Sequence, residues 1–296
     1  MSAFLTLLRR ELIEHRGAFF YAPLILIAIL TLLLVFAFVS GHTQFSFYGS
    51  GAPGYRLFDT AYFGIALLWW AYLFLVLFFY FADAFNSDWR NNSMLFWKSM
   101  PQGDFKILLS KLVAGLTILP VMVFLAFLLT GLIAGAASLV APLVLPVLGT
   151  PDFPGTVTAW VNISAVAFCY LVLALLWYAP FFAWVGALST AFGRWSVPLA
   201  LVIPVLFSLF ENVVDVQSAP GGGYLLSFLR QRLNFNFDSR DLQAAVFSNS
   251  PIDVGALVGK LVAGVNWPSL LGGLVFAIVV IYAASEYRRR VLKSFA

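Results

Sequence analysis

Six stretches of this chain are apolar for as long as a helix needs to cross a bilayer, and that feature leaves little choice of fold. They run over residues 18–39, 61–82, 112–140, 163–188, 197–214 and 267–285. Roughly 20 mostly apolar residues span the hydrocarbon core. The expected fold is therefore an all-α polytopic membrane protein, one transmembrane domain over 1–296 with six membrane-spanning helices. Composition agrees: the chain is 62% hydrophobic and 10% charged, with a mean hydropathy of +0.94, whereas a soluble domain is nearer half apolar and a quarter charged. The third and fourth stretches exceed a straight crossing, which predicts tilt or extension beyond the core. Pro23, Pro120, Pro180, Pro198 and Pro204 lie in or at the ends of the stretches. Membrane helices tolerate them where neighbouring groups re-satisfy the backbone.

Orientation follows from the lysines and arginines. With the N-terminus inside, the inner segments hold Arg9, Arg10, Arg16, Arg90, Lys98, Lys106, Lys111, Arg194, Arg288, Arg289, Arg290 and Lys293. The outer segments hold Arg56, Arg230, Arg232, Arg240 and Lys260. Twelve against five puts both termini in the cytoplasm. The start does not read as a cleavable signal peptide, because Glu11, Glu14 and His15 precede the first span and no small-residue cleavage site follows it closely. The lone Cys169 lies in an apolar run and gives no internal disulfide.

Outside the spans, residues 4–15 are loosely amphipathic: Phe4, Leu5, Leu8 and Leu12 share one side, with Arg9, Arg10, Glu14 and Arg16 mostly elsewhere. Segment 1–17 reads as a helix in the cytoplasmic interface before the chain turns up at Gly17. The loop over 41–59 is rich in Gly, Ser and aromatics and reads as turns and extended pieces. The next outer connection, with Pro142, Pro146, Pro151 and Pro154, also reads as non-helical. The largest piece outside the spans, 215–266, opens on "SAPGGGY" and carries short amphipathic patterns at 224–233, 239–247 and 252–265. These form an outer lid or re-entrant helices before the last span. Gly131 and Gly135 allow close helix approach, more often for internal packing than for a dimer seam. The C-terminal "YRRRVLKSF" reads as a flank that fixes topology.

Several chemistries are missing. No G-x-x-x-x-G-K-[ST] motif occurs; the nearest text, "GALVGKL" (255–261), has the wrong spacing and lacks the hydroxyl residue after Lys260. His15 and His42 fall on opposite sides of the membrane, which leaves no two-histidine metal or haem site. No Ser/His/Asp set gathers at one depth. The basic excess is spread by topology rather than gathered in a nucleic-acid-binding domain. Asp83, Glu211, Asp215 and Glu286 sit at span ends rather than at mid-depth, which argues against a proton- or sodium-coupled carrier. The chain is expected to be no enzyme by itself and to hold no cofactor or metal.

What remains conspicuous is the cytoplasmic loop 83–111, and above all "DWRNNSMLFWKSMP" (88–101), charged and aromatic at once. With "LLRRELIEHRGAFFYAPL" (7–24) and "LLSKL" (108–112), it resembles the membrane (permease) subunit of a bacterial type-2 ABC exporter. The resemblance covers the whole chain and is most specific over 88–101. It implies that this loop forms a short coupling helix after span 2, resting in a groove of a separate ATP-binding subunit. Phe96 and Trp97 would be the buried anchors, Asp88, Arg90 and Lys98 the charged rim, Ser93 a local hydrogen-bonding group and Pro101 the helix end. Trp89, Asn91 and Asn92 stand where the family pattern carries charges, which implies a less electrostatic joint. An interfacial helix with Arg9, Arg10, Glu11, His15 and Arg16 would lie beside it. The resemblance further implies two copies of the ATPase binding ATP and Mg, a second permease chain in a homo- or heterodimer, and the cytoplasmic (inner) membrane as location. Cargo would be hydrophobic or amphipathic, meeting the first, second and fifth spans near Thr31, Ser208 and Asn212. The alternative is a non-transporting scaffold or sensor that binds a cytoplasmic ATPase partner.

Overall fold

In a computed structural model of the chain, residues 3–40, 54–87, 103–144, 150–214, 223–233 and 253–294 are described. Among them the regular structure is helical, with no strand. The helices are α1 (Ala3–Glu14), α2 (Ala22–Ser40), α3 (Gly54–Ala84), α4 (Asp104–Val144), α5 (Phe153–Phe192), α6 (Ser196–Val214), α7 (Gly223–Leu233), α8 (Val254–Gly264) and α9 (Trp267–Ser294). Among the described residues, five helical runs are long and apolar enough to cross a membrane: Gly17–Phe36, Phe58–Ala84, Asp104–Leu143, Phe153–Val214 and Trp267–Arg290. They are the helices of a multi-pass membrane protein.

The fourth run joins two of the expected spans. Its 62 residues would stretch about 93 Å as one straight helix at 1.5 Å per residue. Gly193 interrupts it. At φ 54°, ψ −122° this residue leaves the helical region, a conformation that a side chain with a Cβ disfavours. The chain passes through a short 3-10 turn, Gly193–Trp195, and α6 folds back on α5. Val185 and Leu188 of α5 pack on Ala200 of α6 there, and the Ser196 hydroxyl donates to the Ala82 carbonyl at 3.3 Å.

Two proline-based expectations need correction. Pro142 lies inside α4, and Pro154 occupies the first turn of α5, where its missing N–H costs nothing. The Asp152 carboxylate accepts from the Gly155 N–H at 3.0 Å and caps that helix. Likewise α3 is already helical at Gly54, in a stretch expected to be loop. Nearer the N-terminus, α1 does not stop and turn at Gly17. A π-helical turn, Gly17–Tyr21, carries the backbone into α2, with Arg16 and Ala22 both in right-handed helical conformation.

The core is organised around α3. Its buried residues Phe58, Tyr62, Ala66, Trp69, Leu73, Leu77, Tyr80 and Ala84 recur every three or four positions, so one aromatic stripe faces α4 and α5. Tyr62 stacks on Phe127 at 4.5 Å between centroids, and Phe81 stacks on Phe182 at 5.4 Å. Gly131 of α4 makes room for the Tyr62 ring and for Trp160 of α5. The Gly131/Gly135 pair thus serves packing within the chain. Hydrophobic transfer adds little between helices in lipid, so packing and polar links hold the bundle. Such links are Tyr62 Oη with Ser164 Oγ (2.7 Å), the Trp69 Nε1–H donating to Thr130 Oγ1 (3.0 Å), and the Tyr72 hydroxyl donating to the Ala18 carbonyl (3.0 Å). By contrast α2 and α6 turn large apolar side chains outward, among them Leu32, Phe36, Leu201 and Phe210.

Candidate functional site

The N-terminal helix and the far end of α9 both pack on the first two turns of α4, which places them at one end of the bundle, here the basal end. A buried polar network lies there. Glu11 is 3% exposed and Lys111 is 1% exposed. The Lys111 ammonium has three protons and three acceptors: the Ala84 carbonyl at 2.7 Å, Ser87 Oγ at 2.9 Å and Glu11 Oε1 at 3.4 Å. The Tyr80 hydroxyl lies between Glu11 Oε2 (3.2 Å) and the Lys111 carbonyl (3.1 Å), so its single proton serves one acceptor at a time. Ser87 donates to the Ala84 carbonyl at 2.8 Å while accepting from Lys111. Ala84 ends α3, so a cation and a hydroxyl satisfy a carbonyl that the helix leaves open.

His15 borders the network, with Nε2 3.8 Å from Glu11 Oε2 and its ring edge-on to Tyr80 at 5.0 Å. Burial holds its imidazole below the ordinary histidine range, against the opposing pull of Glu11 and Glu14. A second clamp joins α9 to α4: Arg288, 2% exposed, pairs with Asp104 at 3.2 Å from Nε to Oδ1.

The two clamps bracket one segment. Ser87 is the last described residue before 88–102, and Asp104 opens the helix that follows it. Ser87, just before the segment, is tied to α1 through Lys111, and Asp104, just after it, is tied to α9 through Arg288. Asp88, Arg90, Ser93, Phe96, Trp97, Lys98 and Pro101 themselves lie outside the described residues. Of the expected N-terminal residues, Glu11 and His15 join the network. Arg10 pairs with Glu14 at 3.5 Å along the helix, and Arg9 and Arg16 are exposed. Lys111, Tyr80 and Arg288 were legible only as loop charges or span aromatics.

A scan against protein-family models and searches of curated proteins and of solved structures gave no match to this chain.

A second feature lies nearer the other end. A cleft of about 1590 Å³ opens between α3, α5, α6, α7, α8 and α9, walled by side chains such as Trp70, Phe74, Phe78, Phe181 and Phe207. The first span does not line it, nor do Thr31, Ser208 or Asn212. The Thr31 hydroxyl and the Asn212 amide instead donate to carbonyls of their own helices, Ile27 and Ser208. Helix α7 closes one side, and side chains of α5 and α6 bond backbone groups at both of its ends. Glu211 accepts from the Leu225 N–H at 2.9 Å. At the C-terminus, the Trp177 indole donates to the Arg232 carbonyl (2.6 Å) and the Tyr178 hydroxyl to the Leu233 carbonyl (2.9 Å). Arg232, counted above with the outer loop charges, is 3% exposed and lies inside the bundle.

Proposed function

We propose that this chain is the membrane half of an ATP-driven exporter in a bacterial cytoplasmic membrane, paired with a separate ATPase and a second permease chain. In this reading the backfolding at Gly193 makes two crossings of the fourth helical run. That gives six in all, with both termini in the cytoplasm, and the basal end faces the ATPase. ATP and Mg are held by the partner. Its closure on ATP pushes segment 88–102 through Phe96 and Trp97, and the buried anchors on either side pass the displacement into the bundle.

The observation that carries the reading is the Glu11–Lys111–Ser87 network. A loop that only joins two spans needs no buried ion pair at its root. A loop that transmits force needs a root that does not yield. Here a buried polar network joins α1, α3 and α4 where the segment begins, and Arg288–Asp104 holds its other end. The outward apolar faces of α2 and α6 suit lipid and a second permease chain.

The test is ATP hydrolysis by the complex purified through this chain and reconstituted in lipid. An exporter shows turnover that responds to amphipathic cargo, and Lys111→Met uncouples that response while the ATPase stays bound. Hydrolysis indifferent to every amphiphile tried, with the ATPase bound, favours the scaffold reading instead.

A further inference from the structure

Arg232 poses a problem that neither fold nor coupling explains. Its carbonyl is fixed by the Trp177 indole N–H at 2.6 Å, and its guanidinium stacks on the same indole, 4.4 Å from the ring centroid. The group presses against Pro180 and Gly273, and a Cβ at position 273 would collide with it. Gly273 is six residues inside α9, roughly 9 Å from that helix's start at 1.5 Å per residue. The cation is thus held within the length of the bundle and not beyond its end.

Stacking satisfies one face of a guanidinium but none of its N–H groups. Nη1 and Nη2 are buried and have no hydrogen-bond partner among the described residues. They carry four of the five donors of the side chain. A buried cation without an anion is costly, and such residues persist where a ligand needs them. The surroundings give the ligand's character. Arg230 and Arg232 are the charged residues that line the cleft, with no carboxylate among the described lining residues, and apart from Ser269 the rest of the wall is aromatic, aliphatic or glycine. An anion completes the guanidinium, and a long apolar chain fills the wall.

We propose that the cleft binds an anionic amphiphile, its carboxylate or phosphate head on Arg232 and its acyl chain along α3, α5 and α6. As a cargo class this rests on the exporter reading. As a binding site it is tested without any ATPase, so the two can fail separately.

The experiment uses the full chain, purified and delipidated in mild detergent. Palmitate and its methyl ester are compared by ligand-induced thermal shift and by native mass spectrometry. The free acid binds about ten- to a hundredfold more tightly than the ester, the worth of charge-assisted hydrogen bonds. Arg232→Gln abolishes that preference while leaving the chain's own melting point unchanged or raised, since a buried charge has gone. Gly273→Ala keeps the charge but displaces the guanidinium, and weakens the acid alone. Phosphatidylglycerol that survives purification of the parent chain and is lost in Arg232→Gln identifies the membrane's own lipid as the source. Palmitate binding without such retained lipid identifies a free acid. Equal binding of acid and ester, or a preference that persists in both variants, overturns the proposal.

Discussion

Replacing Lys111 by methionine keeps the length of the side chain and removes its charge. Glu11, 3% exposed, is then left with the Tyr80 hydroxyl at 3.2 Å and His15 at 3.8 Å. Removing one partner of a buried pair costs about 3–5 kcal/mol, because the stranded charge stays in a poor solvent. Glu11→Gln costs less, about 2–3 kcal/mol, since the ammonium keeps the Ala84 carbonyl and Ser87 Oγ. The double variant buries no charge and loses far less than the sum of the two. The coupling between the sites is therefore about 2 kcal/mol or more. The assay is unfolding of the detergent-solubilised chain by added SDS, followed by tryptophan fluorescence, across all four members of the cycle. Losses that add to within about 0.5 kcal/mol would show that the two side chains act independently, and the clamp at the root of segment 88–102 would be refuted.

Three further outcomes follow from the same contacts. Burial depresses His15 below its ordinary 6.5, so the unfolded chain takes up its proton first as pH falls. The stability that neutral His15 contributes is present above about pH 6.5 and is lost as pH drops through the folded value. His15→Phe should flatten the fall in melting point between about pH 7.5 and 5, and an unchanged slope contradicts the assignment. Arg288 is buried while Asp104 is a quarter exposed. Asp104→Asn, which strips the carboxylate from a buried cation, should therefore cost about 2–3 kcal/mol by SDS unfolding, more than the roughly 1 kcal/mol for Arg288→Met. Equal losses would argue against that asymmetry. Gly131→Ala should cost about 1–3 kcal/mol by overpacking against Tyr62 and Trp160, whereas Gly135→Ala, whose Cβ finds its nearest neighbours at 3.5 Å, should melt close to the parent.

Length and hydropathy made the long helices legible, because roughly 20 apolar residues in lipid leave few alternatives to a helix. Prolines misled at the edges. Pro142 and Pro154 read as breakers in water, yet one sits inside a membrane-length helix and the other in a first turn that has no use for its N–H. The short amphipathic pattern at 224–233 was legible as a helix, but not as one that buries Arg232 against the bundle. An 11-residue segment between apolar runs carries no periodicity that shows which of its charges turns inward, and Arg232 read as an ordinary loop charge. The basal network was illegible for another reason. Glu11 and Lys111 are about a hundred positions apart in the chain, and only the packing of α1 on α4 brings them to 3.4 Å. Glu11 and His15 were singled out by resemblance. Lys111 had no local signal beyond its charge.

Isolation of the tagged chain from gently solubilised native membranes tests the central claim most directly, with mass spectrometry of what accompanies it, for the parent and for a Phe96→Ala/Trp97→Ala double variant. The predicted result is an ATP-binding subunit present in stoichiometric amount with the parent and lost with the double variant, while a second permease chain stays. A chain that remains dimeric and carries no ATPase would contradict the exporter reading.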